Sequence, residues 1–245
     1  MKRTLRFSIL AILAFAIILL VRLPASWVRG FLPPGIVCAD IAGTAWDGTC
    51  SGLAYNGAAV GNLSWELHPA ALLHGKLAAF VDLTRGEEFL RGEIEAGRGG
   101  SYVGHNLQAQ MPLDPPLVPE LSSGYAGNLS LNLASLQVEK NVITVIEGEV
   151  EATSLYSKRE RVAIGSYSAT FPKAAAGSEP VARIASLDGP VDFNGTLKLT
   201  RAPGWVVSGK VRTKPETPPD LARQLEFLGR PDPDGTRQLD MDGTF

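Results

Sequence analysis

Residues 7–21 read Phe-Ser-Ile-Leu-Ala-Ile-Leu-Ala-Phe-Ala-Ile-Ile-Leu-Leu-Val, fifteen residues in which Ser8 is the only polar one. A helix made of this run has no wet face, so it belongs in a bilayer, in a signal peptide or inside a large core. Eleven of the fifteen are Phe, Ile, Leu or Val. At ~0.3–0.6 kcal/mol each they favour insertion by about 3–7 kcal/mol. A span takes about 20 apolar residues, so Leu5, Leu23 and the long arms of Arg6 and Arg22 must extend it. Lys2, Arg3 and Arg6 precede the run, whereas Arg22 and Arg29 are the cations that follow closely. The positive-inside bias then predicts a cytoplasmic N-terminus and a chain that continues on the far side. A cleaved signal peptide shares the charged start and the apolar stretch, but Leu23-Pro24-Ala25 makes a poor cleavage site. The retained anchor is the preferred reading. The expected organisation is residues 1–6 cytoplasmic, 7–23 transmembrane, 24–35 juxtamembrane and 36–245 a β-rich extracytoplasmic domain, with a sub-domain joint near 111–119.

In residues 24–32, Trp27 and Phe31 stand four apart beside Val28 and Leu32. That spacing predicts a short amphipathic turn, at the membrane interface where Trp is at home or packed on the following domain. Pro33-Pro34-Gly35 ends it. From Ile36 onward the apolar period switches to two. Leu63, Trp65 and Leu67 alternate with polar neighbours, as do Leu77, Ala79, Val81 and Leu83, and Leu129, Leu131 and Leu133. Val191, Phe193, Leu197 and Leu199 follow, then Trp205, Val207 and Val211, and a last alternation through Leu239 and Met241. Alternation is the mark of a strand with one buried and one wet face, and gaps such as Tyr55-Asn56-Gly57 are hairpin signals. The fold class predicted is all-β and mainly antiparallel, an elongated or curved sheet able to form a trough, with an N-terminal transmembrane helix and one or two short helices. One helical turn is expected from Pro69 to His74, closed by Gly75. A second helix is expected after Pro218-Pro219-Asp220, with Leu221, Leu225 and Leu228 on one face and Gly229 closing it. A weak echo, Gly-Asn-Leu-Ser at Gly61 and Gly127 and Gly-Thr-Leu-Lys at Gly195, hints at duplication.

The formal net charge is −2 with no basic run beyond the N-terminus, which removes the electrostatic case for nucleic acid. His68, His74 and His105 are not paired at metal-ligand spacing, and Glu147, Glu149 and Glu151 alternate along a strand as a solvated face would. No nucleophile elbow, Walker loop or dinucleotide fingerprint is present. Neither an enzyme nor a bound metal or cofactor is expected. Cys38 and Cys50 are the two cysteines; in an oxidising compartment they could close a small loop, or remain two buried thiols.

Four blocks carry a family resemblance. They are Leu23-Pro24-Ala25-Ser26-Trp27-Val28, then Pro34-Gly35-Ile36, then Ile41-Ala42-Gly43-Thr44-Ala45-Trp46-Asp47-Gly48, then Leu63-Ser64-Trp65-Glu66-Leu67-His68-Pro69-Ala70-Ala71-Leu72-Leu73-His74-Gly75-Lys76-Leu77. Together with Leu228-Gly229-Arg230-Pro231-Asp232-Pro233-Asp234-Gly235, they resemble the type II secretion system protein N (GspN) family. The resemblance implies a bitopic inner-membrane component with a periplasmic β-rich part, acting with other type II secretion components in export of folded proteins across the outer membrane. It carries over no catalytic residue. Gly43, Thr44, Trp46, Gly48, Trp65, Pro69, Leu72, Leu73 and Gly75 are the motif positions. Both tryptophans read as large apolar anchors, in core packing or on a partner surface, and the glycines as turns or points of close approach. The competing reading is a periplasmic lipid-handling module, with an apolar groove like those of AsmA-type or lipopolysaccharide-transport proteins. An open apolar face would favour it and a sealed core would oppose it.

Overall fold

The computed structural model describes residues 7, 12, 15, 18–113, 124–175, 177–202 and 204–244, apart from the side chains of Val28 and Phe31. The expected anchor therefore lies largely outside the described residues, as does most of the expected joint near 111–119. Phe7, Ile12, Phe15 and residues 18–21 are helical, and each is between 56% and 69% exposed. Among the described residues, no helix is long and apolar enough to cross a membrane. A 3-10 helix, Ala25–Phe31, follows.

Thirteen antiparallel strands then make one open sheet in simple sequence order. They are β1 Ile36–Gly43, β2 Asp47–Tyr55, β3 Ala58–Leu67, β4 Leu77–Arg85, β5 Glu88–Ala96, β6 Ser101–Pro112 and β7 Tyr125–Glu139. There follow β8 Val142–Ser157, β9 Val162–Phe171, β10 Val181–Asp188, β11 Val191–Thr200, β12 Gly204–Thr213 and β13 Arg237–Thr244. Two short helices interrupt the meander, α1 Pro69–Leu72 between β3 and β4 and α2 Pro219–Glu226 between β12 and β13.

Local chemistry explains the meander. Asn56 and Gly57 have φ of 49° and 83°, and Lys140 and Asn141 have 50° and 66°. Positive φ at both central residues gives the two-residue hairpin turns whose twist matches that of the flanking strands. Register slips fall in β2, β6 and β8, where Gly52 (64°), Asn106 (51°) and Ser154 (53°) take left-handed conformations. Such bulges bend a strand and increase its twist. A twisted sheet wider than about ten strands has to curl, flatten or split, and bends of this kind let it curl.

The register sorts the sheet into two faces. One unbroken row of paired residues crosses all strands: Ile41, Cys50, Leu63, Leu83, Leu90, Ala109, Leu131, Val150, Ala169, Ile184, Gly195, Gly209 and Leu239. Every member is apolar. One residue over, on the opposite face, the paired row from β2 to β13 reads Thr49, Ser64, Asp82, Arg91, Gln108, Asn132, Glu149, Thr170, Arg183, Thr196, Ser208 and Asp240. Every member is polar.

Two stretches of the apolar face are closed. Leu133, Ile146, Phe171, Ala182 and Leu199 form one buried cluster, across β7 to β11. Val191, Phe193 and Val211 form another, against which Leu221, Leu225 and Leu228 pack from α2 and the residues after it. The second expected helix thus covers one end of the β11–β12 pair. In the long apolar row only Cys50 and Ala109 are buried; its other members are half-buried.

Candidate functional site

Five of the nine motif positions, Gly43, Thr44, Trp46, Gly48 and Trp65, gather at one corner of the sheet, where the helical residues meet β1 and β2. Gly43 ends β1 with φ 87°, and a Cβ there would stand 2.5 Å from the Asp47 carbonyl oxygen. The Thr44 hydroxyl closes the turn locally: its Oγ1 accepts from the Asp47 N–H (3.1 Å) and donates to the Asp47 carbonyl (3.2 Å). Thr44 also bridges to Pro24. Trp46 reaches backward, its Nε1–H donating to the Leu20 carbonyl at 2.8 Å. Beside it the Ala45 N–H donates to the Leu23 carbonyl at 2.8 Å. These two bonds tie the turn to the end of the helical run and to Leu23 just beyond it; the Leu20 oxygen also accepts from the Leu23 N–H at 3.3 Å.

The corner is locked from the other side by β3. A Cβ on Gly48 would lie 2.4 Å from Trp65 Cζ2 and 2.8 Å from the Thr44 carbonyl, so only hydrogen fits. The Trp65 ring occupies that space, and its Nε1–H donates to the Ala45 carbonyl at 3.1 Å. The Leu67 N–H donates to the Trp46 carbonyl at 2.6 Å. A Gly-Thr-x-Trp-x-Gly block followed by a second Trp is therefore one device: a tight turn, a hook onto the preceding helical residues, and an indole laid on a bare backbone. Cys38 of β1 and Cys50 of β2 fasten the same edge, with their sulfurs bonded and Cα atoms 5.6 Å apart.

Pro69, Leu72, Leu73 and Gly75 are not part of that device. They form the β3–β4 connection, at the same end of the sheet as the β1–β2 turn. Pro69 opens α1, whose missing N–H costs nothing there. Gly75 (φ 70°) turns the chain back with its Cα side 3.4 Å from Arg98, measured from where a Cβ would be. Leu72 is 46% and Leu73 87% exposed, so neither contributes to a core.

Two open depressions flank the first buried cluster. One, of ≈ 530 Å³, is lined by Val142, Ile143, Val145 and Leu199 with Lys140 and Arg201 at its margin. The other, of ≈ 450 Å³, is lined by polar groups including Gln108, Asn132 and Glu149 around Leu133 and Phe171. Among the described residues no cluster of His, Cys, Asp or Glu is arranged to hold a metal ion. Hydrogen bonds from Lys214 and Arg212 hold the Asp192 carboxyl below the usual range, in an ion cluster that joins strands. Sequence reasoning missed the Trp46–Leu20 bond, because its acceptor is a main-chain oxygen that leaves no trace in side-chain type.

A family model described as type II secretion system (T2SS), protein N matches residues 34–240. The chain belongs to this family. Among its relatives, the type II secretion system protein N of Vibrio cholerae serotype O1 (strain ATCC 39315 / El Tor Inaba N16961) is 26% identical over 260 residues, 99% of each chain. That of Aeromonas hydrophila is 27% identical over 255 residues, again 99% of each chain. No solved structure matches. The protein N match begins at Pro34, just before β1, and runs to Asp240, so it takes in β1 to β12 and the first half of β13.

Proposed function

We propose that the protein is a single-pass inner-membrane component of the type II secretion pathway. In this reading its N-terminus is cytoplasmic, its sheet is periplasmic, and it serves export of folded proteins across the outer membrane as a structural and interaction part with no catalysis of its own. The carrying observation is the corner itself. Apolar helical residues that find no cover on the sheet are tied to it by two main-chain carbonyl bonds, the Trp46 hook and the Ala45–Leu23 bond. A helix that merely packed on the domain would bury one side; a tether leaves all sides to lipid. End-to-end correspondence with relatives named for the secretion system supplies the pathway.

Cross-linking in a secreting cell tests the role: the sheet should trap other secretion components, and recovery of none of them would count heavily against it. A reporter fused after Phe245 tests the topology, and activity confined to the cytosol would end it.

One observation favours a second reading, a lipid-handling module with a trough-shaped apolar groove. The apolar row spans every strand, yet outside the two clusters it is half-exposed. A sheet closed as a sealed core would bury such a row as deeply as a domain interior. Protein released from membranes should then carry phospholipid visible by mass spectrometry; lipid-free protein would argue against a carrier.

A further inference from the structure

The two ends of the sheet are unlike, and the difference bears on which one meets the bilayer. In a meander, alternate connections fall at the same end. The β1–β2, β3–β4, β5–β6, β7–β8, β9–β10 and β11–β12 connections all lie at the end where the helical residues join, fixed by the Trp46–Leu20 bond. These connections carry Lys76, Arg98, Lys140, Lys173 and Arg201 against Glu179. At the opposite end, although the β8–β9 turn is basic, the long connection before β13 carries Glu216, Asp220, Glu226, Asp232 and Asp234 against three cations.

The helix-bearing end also displays apolar side chains that the described residues leave largely uncovered. Trp27, on the 3-10 helix beside the corner, is 65% exposed, and Leu73 at the tip of α1 is 87% exposed. α1 buries none of its residues. The turn is nonetheless built with care, opened by Pro69 and closed by Gly75 over Arg98. A shaped turn that presents leucine outward, with cations alongside, matches what an interface of acyl chains below and phosphates above recognises.

We propose that this end of the sheet rests on the bilayer. α1 inserts Leu72 and Leu73 between headgroups, while Arg98, Lys140 and Arg201 engage the phosphates of anionic phospholipid. The occupant is the surface of the membrane that holds the N-terminal helix, so the proposal rests on the tethered reading above. It adds a second, peripheral contact that fixes the orientation of the sheet, with this connection-bearing end down, relative to the tether. Trp27 belongs to the same contact, and its indole suits the headgroup level.

The test uses the full chain reconstituted into vesicles of phosphatidylcholine, with or without phosphatidylglycerol. Single cysteines replace Leu73 or, at the other end, Phe227, which is 90% exposed; each carries an environment-sensitive dye, and the lipids carry brominated acyl chains. The dye at L73C should lose most of its emission and the dye at F227C should keep its own. Quenching at L73C should be stronger with phosphatidylglycerol and fall to the zwitterionic level in R98E/K140E/R201E. An unquenched L73C in protein that resists alkaline extraction would overturn the resting end and leave the tether standing. Equal quenching at both ends would also overturn it. Protein stripped from the vesicles by alkali would instead remove the tether, and this inference with it.

Discussion

Gly48 is the residue on which the corner turns. Its missing side chain lets the Trp65 ring lie against the β1–β2 turn, and an added methyl would meet that ring at 2.4 Å and a carbonyl at 2.8 Å. Neither neighbour gives way cheaply, because the ring is pinned by its own hydrogen bond to Ala45. Overpacking of this kind costs about 1–3 kcal/mol, so G48A should lower the melting temperature by about 3–10 °C. G30A, with no atom near its added methyl, should melt with wild type; equal melting of all three would show that the corner is slack. Asp192 makes a different residue-scale prediction. Lys214 and then Arg212 hydrogen-bond its carboxylate and lower its pKa in the fold. The stabilisation is therefore complete above the unfolded value of about 4 and is lost as pH falls through the lower folded value. Denaturation midpoints between pH 5 and pH 3 should fall more steeply for wild type than for D192N. Parallel curves would mean that the pair does not act on stability.

The strands were legible as elements because each displays its two faces as alternation, and every window cited from Leu63 to Met241 lies in a strand. The turn at Asn56-Gly57 and the leucine face of α2 were legible for the same reason, local chemistry that needs no partner. Register was not. It depends on bulges at Gly52, Asn106 and Ser154, and Asn or Ser in a strand looks like any outward polar residue until its φ is seen. The motif was visible as a block, but its hook onto Leu20 was not, since any residue supplies a carbonyl. At this scale the edge strand β1 carries the next prediction. It pairs with β2 on one side only, and the Cys38–Cys50 bond closes a loop with a sequence separation of 12. A loop of that length stabilises by about 2–3 kcal/mol through the unfolded chain. C38S/C50S should lose that much, with amide exchange accelerated first in β1. Reduction and alkylation of wild type should add two labels only after reductant, and labelling without it would dispose of the bridge.

At the scale of the whole molecule, the two rows of opposite character explain why a thirteen-strand meander holds one register. Slipping any strand by one residue would carry its apolar member to the wet face and its polar member to the dry one. The penalty repeats at every strand, so specificity is distributed along the sheet and does not reside in one core. Half-exposure is the cost: a row that is only partly covered forgoes some of the ~25 cal/mol per Å² that full burial would yield. The arrangement makes sense if something apolar covers the row part of the time, which is what the lipid reading supplies. The two faces predict an asymmetry. Val150 lies in the apolar row between Leu131 and Ala169 and packs, half-buried, against the first cluster, where a carboxylate would lose part of its water among apolar neighbours, so V150D should cost roughly 1–3 kcal/mol. Thr196, exposed in the polar row beside Arg183, should accept T196D within about 0.5 kcal/mol. Urea unfolding of the two variants measures the contrast, and equal losses would mean that the faces are not physically distinct. If phospholipid occupies the groove, V150D should also release it while T196D retains it. Retention by both would place any lipid elsewhere, and the apolar row would then owe its existence to register alone.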